Sequence, residues 1–150
     1  MSRGNAGFPG QPETTLQRCI SPSLTEVDGL CAELRAGVLG RIPTSERFVV
    51  ELLLREALTN AVLHGAKLCA DGTVRCHIEH LPGGITMRIS DSGAGFDWRR
   101  ALYAAGVSLA ESGRGIQILR QYASALRFNE KGNCVEVTRM FGQGGQGGKF

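Results

Sequence analysis

The sequence predicts an α+β fold, a two-layer sandwich in which helices cover one face of a mixed, largely antiparallel sheet. Two long stretches repeat apolar residues at helical spacing, and two shorter regions alternate apolar and polar residues on either side of a glycine-containing turn. Hairpins in place of regular β-α-β units imply antiparallel neighbours, with the helices gathered on one side.

The first strand is expected over residues 14–20, TTLQRCI, closed by Pro22. Ser23-Leu24-Thr25-Glu26 reads as a capping box, and Leu24, Val27, Cys31, Leu34 and Val38 carry a helix to about Gly40. After Ile42-Pro43, Thr44 or Ser45 can cap a second helix, RFVVELLLREALTNAVLHGA, ending near Gly65 and Ala66. Its apolar character predicts burial on more than one side, so its polar residues are informative. The period then drops to two. Val74, Cys76 and Ile78 alternate with Arg75, His77 and Glu79; a turn at Leu81-Pro82-Gly83-Gly84 follows; then Ile85, Met87 and Ile89 alternate with Thr86, Arg88 and Ser90. A mixed stretch over 97–112 leads to a helix that starts just after Gly113, and a hairpin with strands near 126–129 and 134–141 ends the pattern.

Composition narrows the function classes. Of 21 glycines, eight lie in the ends, and residues 1–12 and 142–150 are expected to be disordered tails. Residues 13–141 are expected to form one domain. A hydrophobic share of 42% without a G-X-Y period excludes a collagen-like chain. Seventeen Lys and Arg against 14 acidic residues give +3 without a basic block, so no direct nucleic-acid partner is expected. No apolar run has membrane-spanning length and no secretory leader is recognisable, so no membrane association is expected. Five cysteines without a CxxC pair suit reduced thiols, hence a cytoplasmic location.

Three constellations could carry chemistry. Glu56, Asn60 and His64 share one face of the second helix at i, i+4, i+8. Such a stripe either meets solvent at the layer edge or provides a catalytic carboxylate beside an oxygen ligand for Mg²⁺, and spacing alone does not choose. Asp91-Ser92-Gly93-Ala94-Gly95 ends a strand. It is either a surface turn or a place where backbone approaches a planar ligand and the Asp accepts from an exocyclic amine. Gly113-Arg114-Gly115 opens a helix, as an ordinary helix start or as an anion site to which Arg114 adds charge.

In that order, Glu56-x-x-x-Asn60-Ala61-x-x-His64-Gly65, Asp91-x-Gly93-x-Gly95-Phe96 and Gly113-Arg114-Gly115-Ile116 resemble the GHKL superfamily of ATPases and kinases. The EALTNAVLHGA and SGRGIQIL forms are most similar to its anti-sigma factor serine/threonine kinases. The resemblance implies ATP and Mg²⁺ as cofactors, with Asn60 as Mg²⁺ ligand and Glu56 as the catalytic base for the attacking hydroxyl. It implies that Asp91 accepts from the adenine amino group, that Gly93 and Gly95 leave room for the base, and that Gly113 and Gly115 offer N–H groups to phosphates. Residues 97–112, including Arg99, Arg100, Ala104, Ala105 and Gly106, would form a lid. Arg114 as a phosphate contact follows from its charge. The implied partners are an anti-anti-sigma-like antagonist protein as substrate and a sigma factor or similar regulator, and pairing into a homodimer is permitted. The alternatives are a nucleotide-dependent binding switch without kinase activity, a histidine-kinase-type catalytic domain acting in trans, and a metal-binding domain using His64, His77, His80 and the cysteines. The Cys spacing disfavours the last.

Overall fold

The computed structural model describes residues 13–64, 72–95, 97–103 and 111–142, with backbone alone for 13–15, 101–103 and 111–114. The elements are β1 (Glu13–Ile20), α1 (Leu24–Ala36), 3₁₀ turns at Val38–Arg41 and Thr44–Glu46, α2 (Arg47–His64), β2 (Val74–Leu81), β3 (Gly84–Asp91), α3 (Trp98–Tyr103), α4 (Glu111–Tyr122), β4 (Ala125–Phe128) and β5 (Cys134–Met140). The sheet runs β1-β2-β3-β5-β4 and every pairing is antiparallel, so the mixed component of the expectation is absent from the described strands.

The period-two pattern fixes which face of the sheet is covered. Ile78, Ile85, Met87, Ile89 and Val137 point inward and are buried, against Val50, Leu53, Leu54, Ala57 and Leu58 of α2. Each fully buried Leu or Ile contributes about 1.5–3 kcal/mol, and Leu54→Ala would cost about 2–5 kcal/mol through the cavity it leaves. Helix α1 adds Val27, Leu30, Cys31 and Leu34 to this core. On the other face the cross-strand row Gln17, His77, Arg88, Glu136, Arg127 is polar, with Arg88 Nη2 2.9 Å from Glu136 Oε2.

Local chemistry explains where element ends depart from the pattern. Ser23 Oγ accepts the Glu26 N–H at 3.2 Å, as a capping box requires, but the Ser23 N–H donates to the Ser21 carbonyl, so only half of the reciprocal pair is made. Helix α1 stops at Ala36 because Gly37 leaves helical geometry, and Val38 and Leu39 continue the apolar spacing in a 3₁₀ turn. Neither Thr44 nor Ser45 caps α2 through its side chain; Pro43 precedes a 3₁₀ turn that leads into the helix. Helix α4 starts at Glu111, ahead of Gly113, and ends at Tyr122. Gly65 and Ala66 lie outside the described residues, as do Phe96, residues 104–110 of the expected lid, and both tails apart from Gly142.

One buried ion pair joins the start of α2 to the last strand. Glu46 and Arg139 are each 6% exposed. Arg139 donates from Nε to Glu46 Oε2 at 2.8 Å, from Nη2 to Oε1 at 3.3 Å, and from Nη1 to the Tyr122 carbonyl at 2.9 Å. The Gly142 N–H adds a bond to Glu46 Oε1 at 3.2 Å. The hydrogen bond from Arg139 holds the Glu46 carboxyl below the ordinary carboxylate range, against the opposing effect of burial.

Candidate nucleotide-binding site

Helix α2 places Glu56 and Asn60 one turn apart beside its core-facing residues Leu53, Ala57 and Ala61, and Asn60 is buried there while Glu56 is half-buried. Asn60 is buried, and its Nδ2 has no hydrogen-bond partner among the described residues. Burial raises the pKa of Glu56, with Arg55 opposing. Facing them is Gly115 of α4. A Cβ there would lie 2.9 Å from Asn60 Oδ1 and 3.0 Å from Glu56 Oε2, so the absence of a side chain lets α4 cross α2 directly over the polar pair. Gly113 falls in the first turn of α4, where N–H groups lack intrahelical partners. Gly115, the fifth helical residue, has its N–H in the ladder and supplies clearance instead. For Arg114 only the backbone is described.

At the other end of the cleft, β3 delivers Asp91. Its Oδ1 accepts the Gly93 N–H at 2.7 Å, an Asx turn that leaves Oδ2 as the free oxygen of the carboxylate. Burial raises the pKa of Asp91, opposed by that hydrogen bond and by Lys131. Gly93 is buried; Gly95 has φ +90° and sits so close beneath the Lys131 carbonyl that a Cβ would come within 1.7 Å of its oxygen. Gly95 is therefore required by the packing of this loop on the β4–β5 turn, whatever room it also leaves for a ligand.

That turn is the part of the site that the motifs did not contain. Asn129 Oδ1 accepts the N–H groups of Gly132, Asn133 and Cys134 at 2.8, 3.0 and 3.1 Å, and its Nδ2 donates to Asn133 Oδ1 at 2.6 Å. Asn133 then holds the Asp91 loop. Its carbonyl accepts the Asp91 N–H at 2.9 Å, and its Nδ2 donates to the Gly93 carbonyl at 3.3 Å. The sequence signal was present, since Asn129-Glu130-Lys131-Gly132-Asn133 is turn chemistry, but nothing local indicates that the turn serves residues some 40 positions earlier.

Asn60, Asp91, Phe128, Gly132, Asn133 and Cys134 line one cleft, floored by Ala57, Ala61, Ile89, Leu119 and Val135. Its volume is ≈ 20 Å³, room for about one water, so a nucleotide-sized ligand enters only as the walls part. Glu56 stands beside Asn60 at the edge. The oxygens of Asn60 and Glu56 are of the kind that suits a hard cation: a buried carboxamide whose Nδ2 is unpartnered among the described residues, beside a carboxylate burdened by desolvation, with Gly115 of α4 across from both. His77 and His80 take opposite faces of β2, and Cys19, Cys31, Cys76 and Cys134 are free thiols. Burial pushes the Cys76 thiol up to about 12.

An antiparallel sheet backed by α2, with a polar cleft between α2, α4 and the ends of β3 and β5, is the architecture of a GHKL ATP-binding domain. The model of the histidine kinase-like ATPase domain matches residues 20–139, and the chain belongs to that family. Among curated proteins it is similar to the anti-sigma F factor of Clostridium beijerinckii, 33% identical over 93 residues, which cover 59% of this chain and 65% of the relative. It is also similar to those of Clostridium botulinum (strain Eklund 17B / Type B), 28% identical over 99 residues (61% and 69%), and Priestia megaterium, 30% over 91 residues (57% and 62%). Among the described residues no helix is long and apolar enough to cross a membrane.

Proposed function

We propose that the chain is a cytoplasmic serine/threonine protein kinase of the anti-sigma factor type, a single ATP-binding domain over residues 13–141. It phosphorylates a small antagonist protein and sequesters a sigma factor or similar regulator. The observation that carries this reading is the pairing of half-buried Glu56 with buried Asn60, whose Nδ2 has no partner among the described residues, opposite Gly115 of α4.

In this reading Asn60 Oδ1 is a ligand to Mg²⁺, which neutralises charge on the ATP phosphates when bound. Asp91 accepts from the amino edge of the base, directly and through water. Gly113, and Arg114 by its charge, meet the phosphates. Glu56 takes the proton of a Ser or Thr hydroxyl on the antagonist as the oxygen–phosphorus bond forms and the bond between the γ-phosphorus and the bridging oxygen of ADP breaks. Burial raises the pKa of Glu56, which makes its carboxylate a stronger proton acceptor than an ordinary glutamate. The printed names of the relatives support the regulatory context.

The small cleft favours a second reading as well. A site that must part its walls to admit a nucleotide changes shape with occupancy, as a binding switch without transfer would. Incubation with γ-labelled ATP and candidate antagonists from the same genome separates the two. Label on Ser or Thr of an antagonist, lost in Glu56→Ala, is the kinase result; nucleotide-dependent association without label is the switch result. A chain that binds no ATP refutes both.

A further inference from the structure

Among the described residues the exposed large hydrophobics all lie in the helical layer. Phe48 is 74% exposed, Leu24 52% and Leu63 36%, and two of the three belong to α2. Exposed apolar groups gathered on one side and rimmed by charge mark a protein contact more often than scattered ones do. Here the gathering follows from the helix period. Val50, Leu53, Leu54, Ala57, Leu58 and Ala61 turn α2 toward the core, so its opposite side meets solvent. On that side Phe48, Leu52, Glu56, Thr59 and Leu63 follow at intervals of four, four, three and four, a single stripe about 22 Å long at about 1.5 Å per residue. Leu52, Glu56 and Thr59 are half-buried.

The charges beside the stripe are engaged with one another. Arg35 pairs with Glu51 and Arg55 with Asp28 across the seam between α1 and α2, and Leu24, one turn before Asp28 on the same face of α1, borders that seam. Glu56 stands toward the other flank, where Gly115 of α4 faces it. An apolar stripe with a carboxylate in its middle restricts what can cover it. A partner that buries both Phe48 and Leu63 also lies over Glu56. A second copy of this chain packed there would seal Glu56 against any hydroxyl. A protein that brings a Ser or Thr hydroxyl to Glu56 must instead rest on Leu52 and Thr59, one turn to either side, and gains most by burying the Phe48 ring about 12 Å from the carboxylate.

We propose that Phe48, Leu52, Thr59 and Leu63 form the docking surface for the hydroxyl-bearing protein substrate, with Phe48 as its anchor. The substrate then carries an apolar patch about 12 Å from its acceptor Ser or Thr. This rests on the kinase reading above and adds to it the surface that selects the substrate. Phe48 touches no reacting atom, so it governs substrate affinity and leaves transfer itself alone.

The test uses the full chain, Mg²⁺-ATP and an antagonist from the same genome that the unaltered protein labels. Phe48→Asp puts an acidic residue in the first turn of α2, where the helix favours one, and should leave the urea midpoint level or higher. The KM for the antagonist should rise about 5- to 30-fold, the range of one lost apolar anchor, while the KM for ATP and kcat at saturating antagonist stay within about twofold. Leu63→Ser should raise the antagonist KM by a smaller factor, about 2- to 5-fold, and Phe48→Leu should recover most of the loss. Arg127→Ser, on the polar face of the sheet, should leave all three constants within about twofold. An unchanged antagonist KM in Phe48→Asp, a loss confined to kcat, or an equal rise in Arg127→Ser overturns the proposal. A dimer of the unaltered chain that Phe48→Asp splits assigns the stripe to a second copy and overturns it as well. Failure of the unaltered protein to label any antagonist instead overturns the kinase reading and this inference with it.

Discussion

Glu46 and Glu56 stand at the start and in the middle of the α2 region, and their carboxyl groups are shifted in opposite directions. Glu46 is fully partnered: Arg139 and the Gly142 N–H engage both oxygens and favour its ionised form. For Glu56 desolvation outweighs the opposing charge of Arg55, and the buried amide beside it has a donor without a partner among the described residues. A chain able to satisfy one carboxylate so completely leaves the other, half-buried, with desolvation as its dominant influence. The first is a structural clasp; in the proposed function the second meets charge brought from outside.

The strongest break of this contrast is Arg139→Met, which strands the Glu46 carboxylate. A loss of about 3–5 kcal/mol is expected in urea unfolding, with ATP affinity of the folded fraction within about twofold. Glu56→Gln should do the reverse. Phosphoryl transfer should fall at least about 100-fold, ATP affinity should stay within about threefold, and the unfolding midpoint should stay level or rise, since a desolvated charge is removed. A stability loss like that of Arg139→Met would erase the distinction. Asp91→Asn removes a charged acceptor and should weaken ATP by about 10- to 100-fold by calorimetry, with transfer recovering at saturating ATP. Gly115→Ala inserts a methyl against Asn60 and Glu56; about 0–2 kcal/mol of stability is lost, overpacking being partly offset by the helix preference of Ala.

The smallest effect is in pH dependence, and its sign differs between the two glutamates. The Glu46 pKa is lowered, so its contribution is present above the ordinary carboxylate range and is lost as pH falls through the depressed value. Glu56 and Asp91 are raised, so their contribution is present below that range and is lost as pH rises through the elevated values. Unfolding midpoints across a pH series should therefore show Glu46→Gln flattening the acid limb and Glu56→Gln flattening the decline toward neutrality. The same limb changing in both variants would contradict the assignment.

Periodicity alone locates β1, α1, α2, β2, β3 and β5, because each buries one face and writes its period into the residues. It fails where burial is shared with distant chain. Helix α3 is too short to show a period, and the start of α4 was obscured because Gly113 and Gly115 read as punctuation although both lie inside the helix. The order of three motifs singled out Glu56, Asn60 and Asp91 as candidate site residues. The structure joins Asn60 and Asp91 in one cleft and sets Glu56 beside Asn60. Asn133, Phe128 and the Glu46–Arg139 pair were not legible: their partners lie far along the chain, Arg139 being 93 positions from Glu46, and no local rule specifies such pairings.

The strand order β1-β2-β3-β5-β4 also has a bearing on synthesis. A ribosome delivers Glu56, Asn60 and Asp91 well before it delivers β5, yet β5 lies between β3 and β4, and the turn before it provides the Asn133 that fixes Asp91. The Arg139 that pairs with Glu46 emerges 93 positions after it. A nascent chain halted before the β4–β5 turn would carry every recognisable signature of the pocket and lack the means to assemble it. Competence to bind a nucleotide should therefore arrive late and abruptly, when the final hairpin clears the exit tunnel.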